Sequence, residues 1–204
     1  MIKRATTYFE TEGIANLDAT IEAVLHRLAE GDIQKVVVFT GTGNGVLKLL
    51  PRAKGFKICA ASFAPNVPHR AAGAGVESGE VLQLLKENNV DLVHGNMPFE
   101  DIIVPDVRDP KIAAIEAAYD TLSGGLSLCV QAVIMCTEAG SVMPGEDVIA
   151  MCADTAVVVT GCHKPLMFSP FDGLEIREIV CKPRRLTLTR KPRYDVGPND
   201  PVAP

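Results

Sequence analysis

A run of apolar, β-branched residues ends in a loop rich in glycine, threonine and asparagine. Residues 36–39 are typical of a buried strand, and residues 46–50 are typical of the helix that follows the loop. A strand that turns through glycines into a helix leaves backbone N–H groups unpaired, and such groups bind anions, most often phosphate. The sequence therefore predicts a phosphate-binding loop made of Thr40, Gly41, Thr42, Gly43, Asn44 and Gly45.

The same loop has a simpler interpretation as an ordinary turn in which Thr42 or Asn44 caps the helix. Three glycines within five residues exceed what a cap requires, which favours phosphate binding. The side chains of Thr40, Thr42 and Asn44 would then form the cradle together with the N–H groups of Gly43 and Gly45. No lysine follows Gly45 directly, so the pattern of nucleoside triphosphatases is absent.

Other polar residues are predicted near the same edge of the sheet. Asp154 and Thr155 lie at the start of a predicted strand, and ligands gather beyond the carboxyl ends of parallel strands. If a hairpin returns this pair to that edge, Asp154 could hydrogen-bond a ribose or ribityl hydroxyl. A turn aspartate that satisfies its own backbone explains it equally well. His69 and Arg70 follow the third predicted strand, where Arg70 is either a phosphate ligand or a solvated loop residue.

Catalytic and metal-binding patterns are not evident in the sequence. We find no Ser/His/Asp arrangement and no nucleophile elbow. Cys162, next to His163 and Lys164, is the only cysteine with a locally electropositive neighbourhood, and we do not expect it to be reactive. The six cysteines have no metal-ligand spacing and mostly lie in apolar runs, which predicts buried, reduced thiols.

Composition narrows the class of protein. The chain has 204 residues and a formal net charge of −5, which argues against nucleic acid as the main partner. No segment is apolar enough for a membrane span or a signal peptide, so no membrane partner and a cytoplasmic location are expected.

Residues 1–182 are interpreted as one domain. Residues 183–204, rich in proline and basic residues, are predicted to form a tail without regular structure.

Strands and helices alternate along most of the chain. The pattern predicts strands at 5–10, 35–40, 56–62, 90–93, 148–152, 155–160 and 174–181. It predicts helices that start after Asn16, near Gly43, after Ser78, after Asp109 and at Leu126, the fourth of them ending at Gly124 and Gly125. This alternation is typical of an α/β fold with a mainly parallel sheet covered on both faces. The last strands follow one another without helices, which predicts an antiparallel edge.

The order of these segments resembles the C-terminal domain of pyruvate kinase. It is more similar still to small stand-alone proteins that look like this domain without its catalytic barrel. The resemblance covers roughly residues 5–185. The segments that carry it include Tyr8-Phe9-Glu10, Cys129-Val130-Gln131, Val148-Ile149-Ala150, Ala153-Asp154-Thr155 and Pro183-Arg184. It implies a three-layer α/β/α sandwich on a mixed, mostly parallel sheet with one late antiparallel strand.

The resemblance also implies a ligand, because a similar loop of the pyruvate kinase domain holds the phosphate of a sugar-phosphate effector. Several ligand positions differ in this chain. Gln131 stands where the related proteins usually carry glutamate, and Gly45 where many pyruvate kinases have a hydroxyl residue. Met151 and Cys152 join two segments that a glycine-rich insertion separates elsewhere, and residues 95–99 replace a segment that contains histidine.

Three functions follow as expectations. The first is a binding module without pyruvate kinase activity, which holds a sugar phosphate or flavin mononucleotide (FMN) at residues 40–45. The second is an enzyme of unknown reaction, which depends on flavin or uses His69, His94 or Asp154 as an acid or base. The third is a homo-oligomeric interaction protein in which the loop is only structural.

Overall fold

A computed structural model describes residues 1–64, 79–99 and 109–189. Within these residues seven strands and five α-helices form the fold. The strands are β1 (Thr7–Thr11), β2 (Lys35–Phe39), β3 (Lys57–Phe63), β4 (Asp91–Gly95), β5 (Asp147–Met151), β6 (Ala156–Thr160) and β7 (Ile176–Arg185). The helices are α1 (Leu17–Leu28), α2 (Asn44–Leu49), α3 (Gly79–Glu87), α4 (Pro110–Asp120) and α5 (Gly124–Glu138).

The strands form one sheet in the order β1-β7-β6-β5-β2-β3-β4. All neighbours are parallel except β6, which runs antiparallel to both β5 and β7. The predicted α/β class and mostly parallel sheet are therefore confirmed. The antiparallel strand does not lie at the edge of the sheet as predicted, because β1 pairs in parallel with the outer side of β7.

Two apolar cores lie on opposite faces of the sheet. Val36 and Val38 of β2 belong to the first core, with residues of α1, α2 and α3, whereas Val37 belongs to the second core. The second core is built around α5, whose residues from Cys129 to Thr137 are all buried. Each fully buried branched or aromatic side chain contributes about 1.5–3 kcal/mol. The sequence of α5 is apolar nearly all round, which is typical of a helix buried on every side.

The starts of α4 and α5 are defined by side-chain caps. Asp109 accepts a hydrogen bond from the N–H of Lys111 at 2.7 Å, and a proline follows it at the first helical position, as predicted. The prediction that Gly124 and Gly125 end the preceding helix is wrong, since they begin α5. Ser123 accepts from the N–H of Gly125 at 3.1 Å and so starts a new helix at this point.

The start of α1 differs from its predicted cap. Asn16 precedes α1, but its side-chain amide donates to the carbonyl of Thr11 at 2.8 Å and caps no helical N–H. The chain leaves α1 through Gly31, whose φ of +83° favours glycine. Ser78, the predicted cap of α3, lies outside the described residues.

Strand β7 is longer than predicted and extends into the segment assigned to the tail. Pro183 pairs with Phe9 of β1, and the strand continues to Arg185. Pairing with β6 ends where Cys181 meets Ala156, so the proline costs no hydrogen bond to β6. The predicted boundary at residue 183 therefore falls inside a strand, and residues 190–204 of the predicted tail lie outside the described residues.

A buried arginine links β7 to the end of α1 at the amino edge of the sheet. Arg27 is only 5% exposed, and its guanidinium donates to both carboxylate oxygens of Asp32 at 2.6 and 2.9 Å. It also donates to Glu178 at 2.8 and 3.1 Å. The hydrogen bonds from Arg27 to Asp32 hold the pKa of Asp32 well below its usual range. The planar guanidinium presents two N–H donors to each of these carboxylates, and only arginine has this geometry.

We therefore predict that Arg27→Lys lowers the free energy of unfolding by about 1.5–3 kcal/mol, since an ammonium cannot replace both forks. Urea unfolding monitored by circular dichroism measures the change. Arg52→Lys is the matched control, because Arg52 pairs with the exposed Glu22 and should shift stability by less than about 0.5 kcal/mol. Equal losses in both variants would contradict the assignment.

Candidate functional site

The carboxyl ends of six strands lie along one edge of the sheet, because every strand except β6 runs in the same direction. This carboxyl edge carries residues 40–45, which connect β2 to α2. It also carries the hairpin turn between β5 and β6, which contains Asp154 and Thr155. The sequence prediction that these two segments share one edge of the sheet agrees with this topology.

The loop at residues 40–45 is shaped by Thr40 and Gly43. The buried Thr40 continues the β2 ladder through its N–H bond to Ala61 at 2.9 Å. Its hydroxyl oxygen accepts from the N–H of Gly43 at 2.8 Å. Gly43 has a φ of +85°, which favours glycine, and it precedes α2 without a side-chain cap. Thr42 contributes only a long contact of 3.5 Å from the N–H of Asn44 to its hydroxyl, so the predicted cap is weak.

The first turn of α2 retains unpaired donors. Among the described residues, the N–H groups of Gly45 and Val46 have no hydrogen-bond acceptor, while Leu47 makes the first helical bond, to Gly43 at 2.9 Å. A Cβ atom on Gly45 would lie 3.2 Å from a methyl group of Val38. Close packing of α2 on β2 thus gives a steric reason for glycine at this position, where a hydroxyl residue was expected from the resemblance.

Three polar side chains form a row at the carboxyl edge on the face of the first core. Ser62 of β3 pairs with His94 of β4, and Thr40 lies beside Ser62 on the other side. Ser62 is fully buried, and its hydroxyl has no hydrogen-bond partner among the described residues. An unpaired buried hydroxyl costs about 1–3 kcal/mol. Sequence reasoning missed Ser62, because only the strand register places it next to Thr40.

Asp154 and Thr155 belong to a buried network at the same edge. Asp154 is 8% exposed, and one of its oxygens accepts from the N–H of Gly13, which precedes α1, at 2.7 Å. Its other oxygen accepts from the hydroxyl of Thr155 at 3.0 Å. That hydroxyl also lies 2.7 Å from the hydroxyl of Ser123, the cap of α5. Asp154 therefore ties the entry of α1 to the β5–β6 turn, a contact that neither the ligand role nor the local turn suggested by the sequence includes.

The start of α5 packs tightly against this network. A Cβ atom on Gly125 would lie 2.5 Å from the Thr155 hydroxyl oxygen and 2.7 Å from the sulfur of Cys152. Both neighbours are buried side chains on the β5–β6 turn, so neither can move aside freely. Gly125 is thus a site of close approach between a helix and the sheet.

We predict that Gly125→Ala lowers the free energy of unfolding by about 1–3 kcal/mol, because overpacking outweighs the higher helix propensity of alanine. Gly79→Ala is the control, since Gly79 also lies in a helix and an added Cβ meets nothing within 4 Å. It should leave stability unchanged or raised. Urea unfolding compares the two, and a stabilised Gly125→Ala variant would contradict the observed packing.

Glu12 holds the chain that follows β7. Its carboxylate accepts from the N–H groups of Leu188 at 2.5 Å and Thr189 at 3.0 Å, and from the hydroxyl of Thr189. Partial desolvation opposes ionisation of Glu12, but these hydrogen bonds and one from the Gly124 backbone outweigh it and lower its pKa. A carboxylate of the protein itself therefore lies at the start of α5, where helix dipoles favour negative charge.

This lowered pKa predicts a pH dependence. The stabilisation from Glu12 should be fully present above the ordinary glutamate pKa of about 4.3 and lost as pH falls through the lower folded value. Glu12→Gln should therefore be less stable than the wild type near neutral pH, and the gap should shrink as the pH falls below the ordinary glutamate pKa of about 4.3. Urea midpoints across this range measure it.

The exposed Glu10 provides the control for this prediction. Glu10→Gln should stay within about 0.5 kcal/mol of the wild type at each pH. A stability gap between Glu12→Gln and the wild type that does not change with pH would contradict the prediction.

The cysteines are buried, as the sequence predicts. All six are free and buried. Burial raises the pKa of Cys162, whose thiol donates to the carbonyl oxygens of His163 and Asp172 at 3.3 and 3.4 Å. A thiol held protonated in this way is a poor nucleophile.

Among the described residues, no group of three or more His, Cys, Asp or Glu side chains could hold a metal ion.

Other residues singled out in the sequence have internal partners or lie outside the described residues. Gln131 is buried; its amide accepts from the N–H of Phe99 at 2.8 Å and donates to Ser127 at 3.1 Å. Lys48 pairs with Asp18 across α1 and α2, so it does not supply a free cation to the loop. His69 and Arg70 lie outside the described residues. The role of Arg70 as a phosphate ligand stays a prediction.

No protein-family model matches the sequence. The resemblance to the pyruvate kinase domain therefore stays a prediction.

In the part of the chain that the structure describes, every helix is too short or too polar to cross a lipid bilayer.

Proposed function

We propose that the chain is a three-layer α/β/α domain of the pyruvate kinase C-terminal type that binds a phosphate-bearing small molecule at residues 40–45. The observation that carries the proposal is the pair of N–H groups of Gly45 and Val46, which lack acceptors among the described residues. A phosphate oxygen is an acceptor that would satisfy them, and the positive end of α2 adds to its binding.

The remainder of the loop supports an anion rather than a cation. The Thr40 hydroxyl oxygen already accepts from Gly43, which leaves its proton free for an acceptor on a ligand. The side chains of Thr42 and Asn44 are exposed at the surface of the loop. Ser62 and His94 extend the line of donors from Thr40 across β3 and β4. Neighbouring strands lie about 4.8 Å apart, so the row spans about 10 Å.

A row of this length suits a phosphate joined to a hydroxyl-bearing chain. Sugar phosphates and FMN both have this chemistry, FMN through its ribityl phosphate. The proposal is for binding alone and does not include pyruvate kinase activity. In the proposed site Asp154 acts indirectly, by holding the entry of α1 at the edge beside the loop.

The test is calorimetric titration of the protein with FMN and with inorganic phosphate, using Gly43→Ala as the variant. A Cβ atom at a φ of +85° forces the loop out of its left-handed conformation, which costs about 1–2 kcal/mol. We expect the affinity for both ligands to fall at least about tenfold, which corresponds to about 1.4 kcal/mol.

Gly55→Ala is the matched control, because Gly55 has a φ of +89°, an added Cβ there meets nothing within 4 Å, and it lies outside the loop. This variant should lose similar stability and keep the wild-type affinity. If Gly43→Ala binds both ligands as the wild type does, or if the wild type binds neither, the proposal is wrong.

A further inference from the structure

A cavity of about 470 Å³ lies at the carboxyl end of β7, apart from residues 40–45. Strands β6 and β5 separate β7 from β2, so the cavity and the loop are different places on the carboxyl edge. The described residues that line this basic pocket are Thr121, Leu122, Lys182, Arg184, Arg185 and Leu186. Three of them are cations and none is a carboxylate, in a chain whose net charge is −5.

Lys182 is held in place by neutral groups. Its ammonium donates to the carbonyl oxygens of Leu122 at 2.9 Å and Pro183 at 2.7 Å, and lies 5.9 Å from the centre of the Tyr8 ring. Among the described residues no carboxylate lies within 4 Å of it. The charge is therefore positioned without being neutralised by an ion pair.

Arg185 differs from the other arginines that the structure describes. It has no carboxylate within 4 Å among the described residues, whereas each of the others has at least one. The others are Arg4, Arg27, Arg52, Arg177 and Arg184. The partner of Arg184 is Glu10 at 3.6 Å, and both of these side chains are exposed, so this pair is worth little.

The carboxylate that could neutralise Arg185 is used elsewhere. Thr11 of β1 pairs with Arg185, and Glu12 follows directly. Glu12 instead accepts hydrogen bonds from Leu188 and Thr189, beyond the end of β7. These bonds hold the Glu12 carboxylate against the backbone. Among the described residues, Lys182 and Arg185 therefore have no carboxylate within 4 Å, and Arg184 has only the exposed Glu10.

We propose that the basic pocket binds a small molecule with two neighbouring anionic groups, such as a diphosphate. Lys182 and Arg184 lie two residues apart on one face of β7, about 7 Å along the strand, so they reach separate anionic groups. Arg185 follows at the end of the strand and offers a planar fork of donors. The cavity volume lies in the range of small-molecule sites.

The test uses calorimetric titration with sodium pyrophosphate and the double variant Arg184→Gln/Arg185→Gln. Both side chains are exposed, so the fold should be unaffected, which urea unfolding checks. We expect the double variant to bind pyrophosphate at least about tenfold more weakly than the wild type. Arg177→Gln is the control, because this exposed arginine pairs with Asp147 at the other end of β7. The affinity of the Arg177→Gln variant for pyrophosphate should equal that of the wild type.

The same titrations in Gly43→Ala protein separate this proposal from the proposed function. Pyrophosphate binding that persists in Gly43→Ala and is lost in the double variant supports the basic pocket. Binding that Gly43→Ala abolishes, or that the double variant retains, overturns it. Tighter binding of a single-stranded oligonucleotide than of pyrophosphate would also overturn it, since the ligand would then be a nucleic acid.

Discussion

The parallel pairing of β2 with β3 and β5 is the constraint on which the rest of the structure depends. Strands buried on both faces must be apolar throughout, and the two cores cover them from opposite sides. Parallel strands also require crossover connections, in which the chain leaves the carboxyl end of one strand and returns, usually through a helix, to the amino end of the next. The carboxyl edge therefore gathers helix starts and loop donors whatever the protein does. Function depends on how each of these donors is satisfied.

The backbone N–H groups at the helix starts along this edge differ in their hydrogen-bond acceptors. At α5 the chain uses its own groups, because Ser123 caps the helix and Glu12 supplies a negative charge. At the entry of α1 the carboxylate of Asp154 binds the N–H of Gly13. At α2 the residue before the helix is a glycine, and the N–H groups of Gly45 and Val46 have no acceptor among the described residues. This contrast supports the proposed role of the loop, because at the same edge Ser123 caps α5 whereas α2 has no side-chain cap.

Local patterns predicted most of the fold, and the candidate site less completely. The buried strands, the buried helix α5 and the Asp109 cap follow from periodicity and capping chemistry within a few residues. The position of β1 beside β7 depends on pairing between the two ends of the chain, which no local pattern contains. Ser62 and the network of Asp154 were missed for the same reason: strand register and contacts between distant segments create them. The resemblance predicts a hydroxyl residue at position 45, and only the packing of Gly45 on Val38 gives a steric reason for glycine there.

The two candidate anion sites depend on different physical interactions, although they share one edge of an acidic protein. Lys48 is paired with Asp18, so among the described residues the loop offers dipolar donors, namely backbone N–H groups and hydroxyls. Such donors bind an anion only when it lies within hydrogen-bond distance and in the direction to which the donors point. The basic pocket offers full charges, of which Lys182 and Arg185 have no carboxylate within 4 Å among the described residues, and their attraction reaches about a Debye length, near 8 Å at physiological salt. A ligand with one phosphate fits the first kind of site, and one with adjacent anionic groups fits the second.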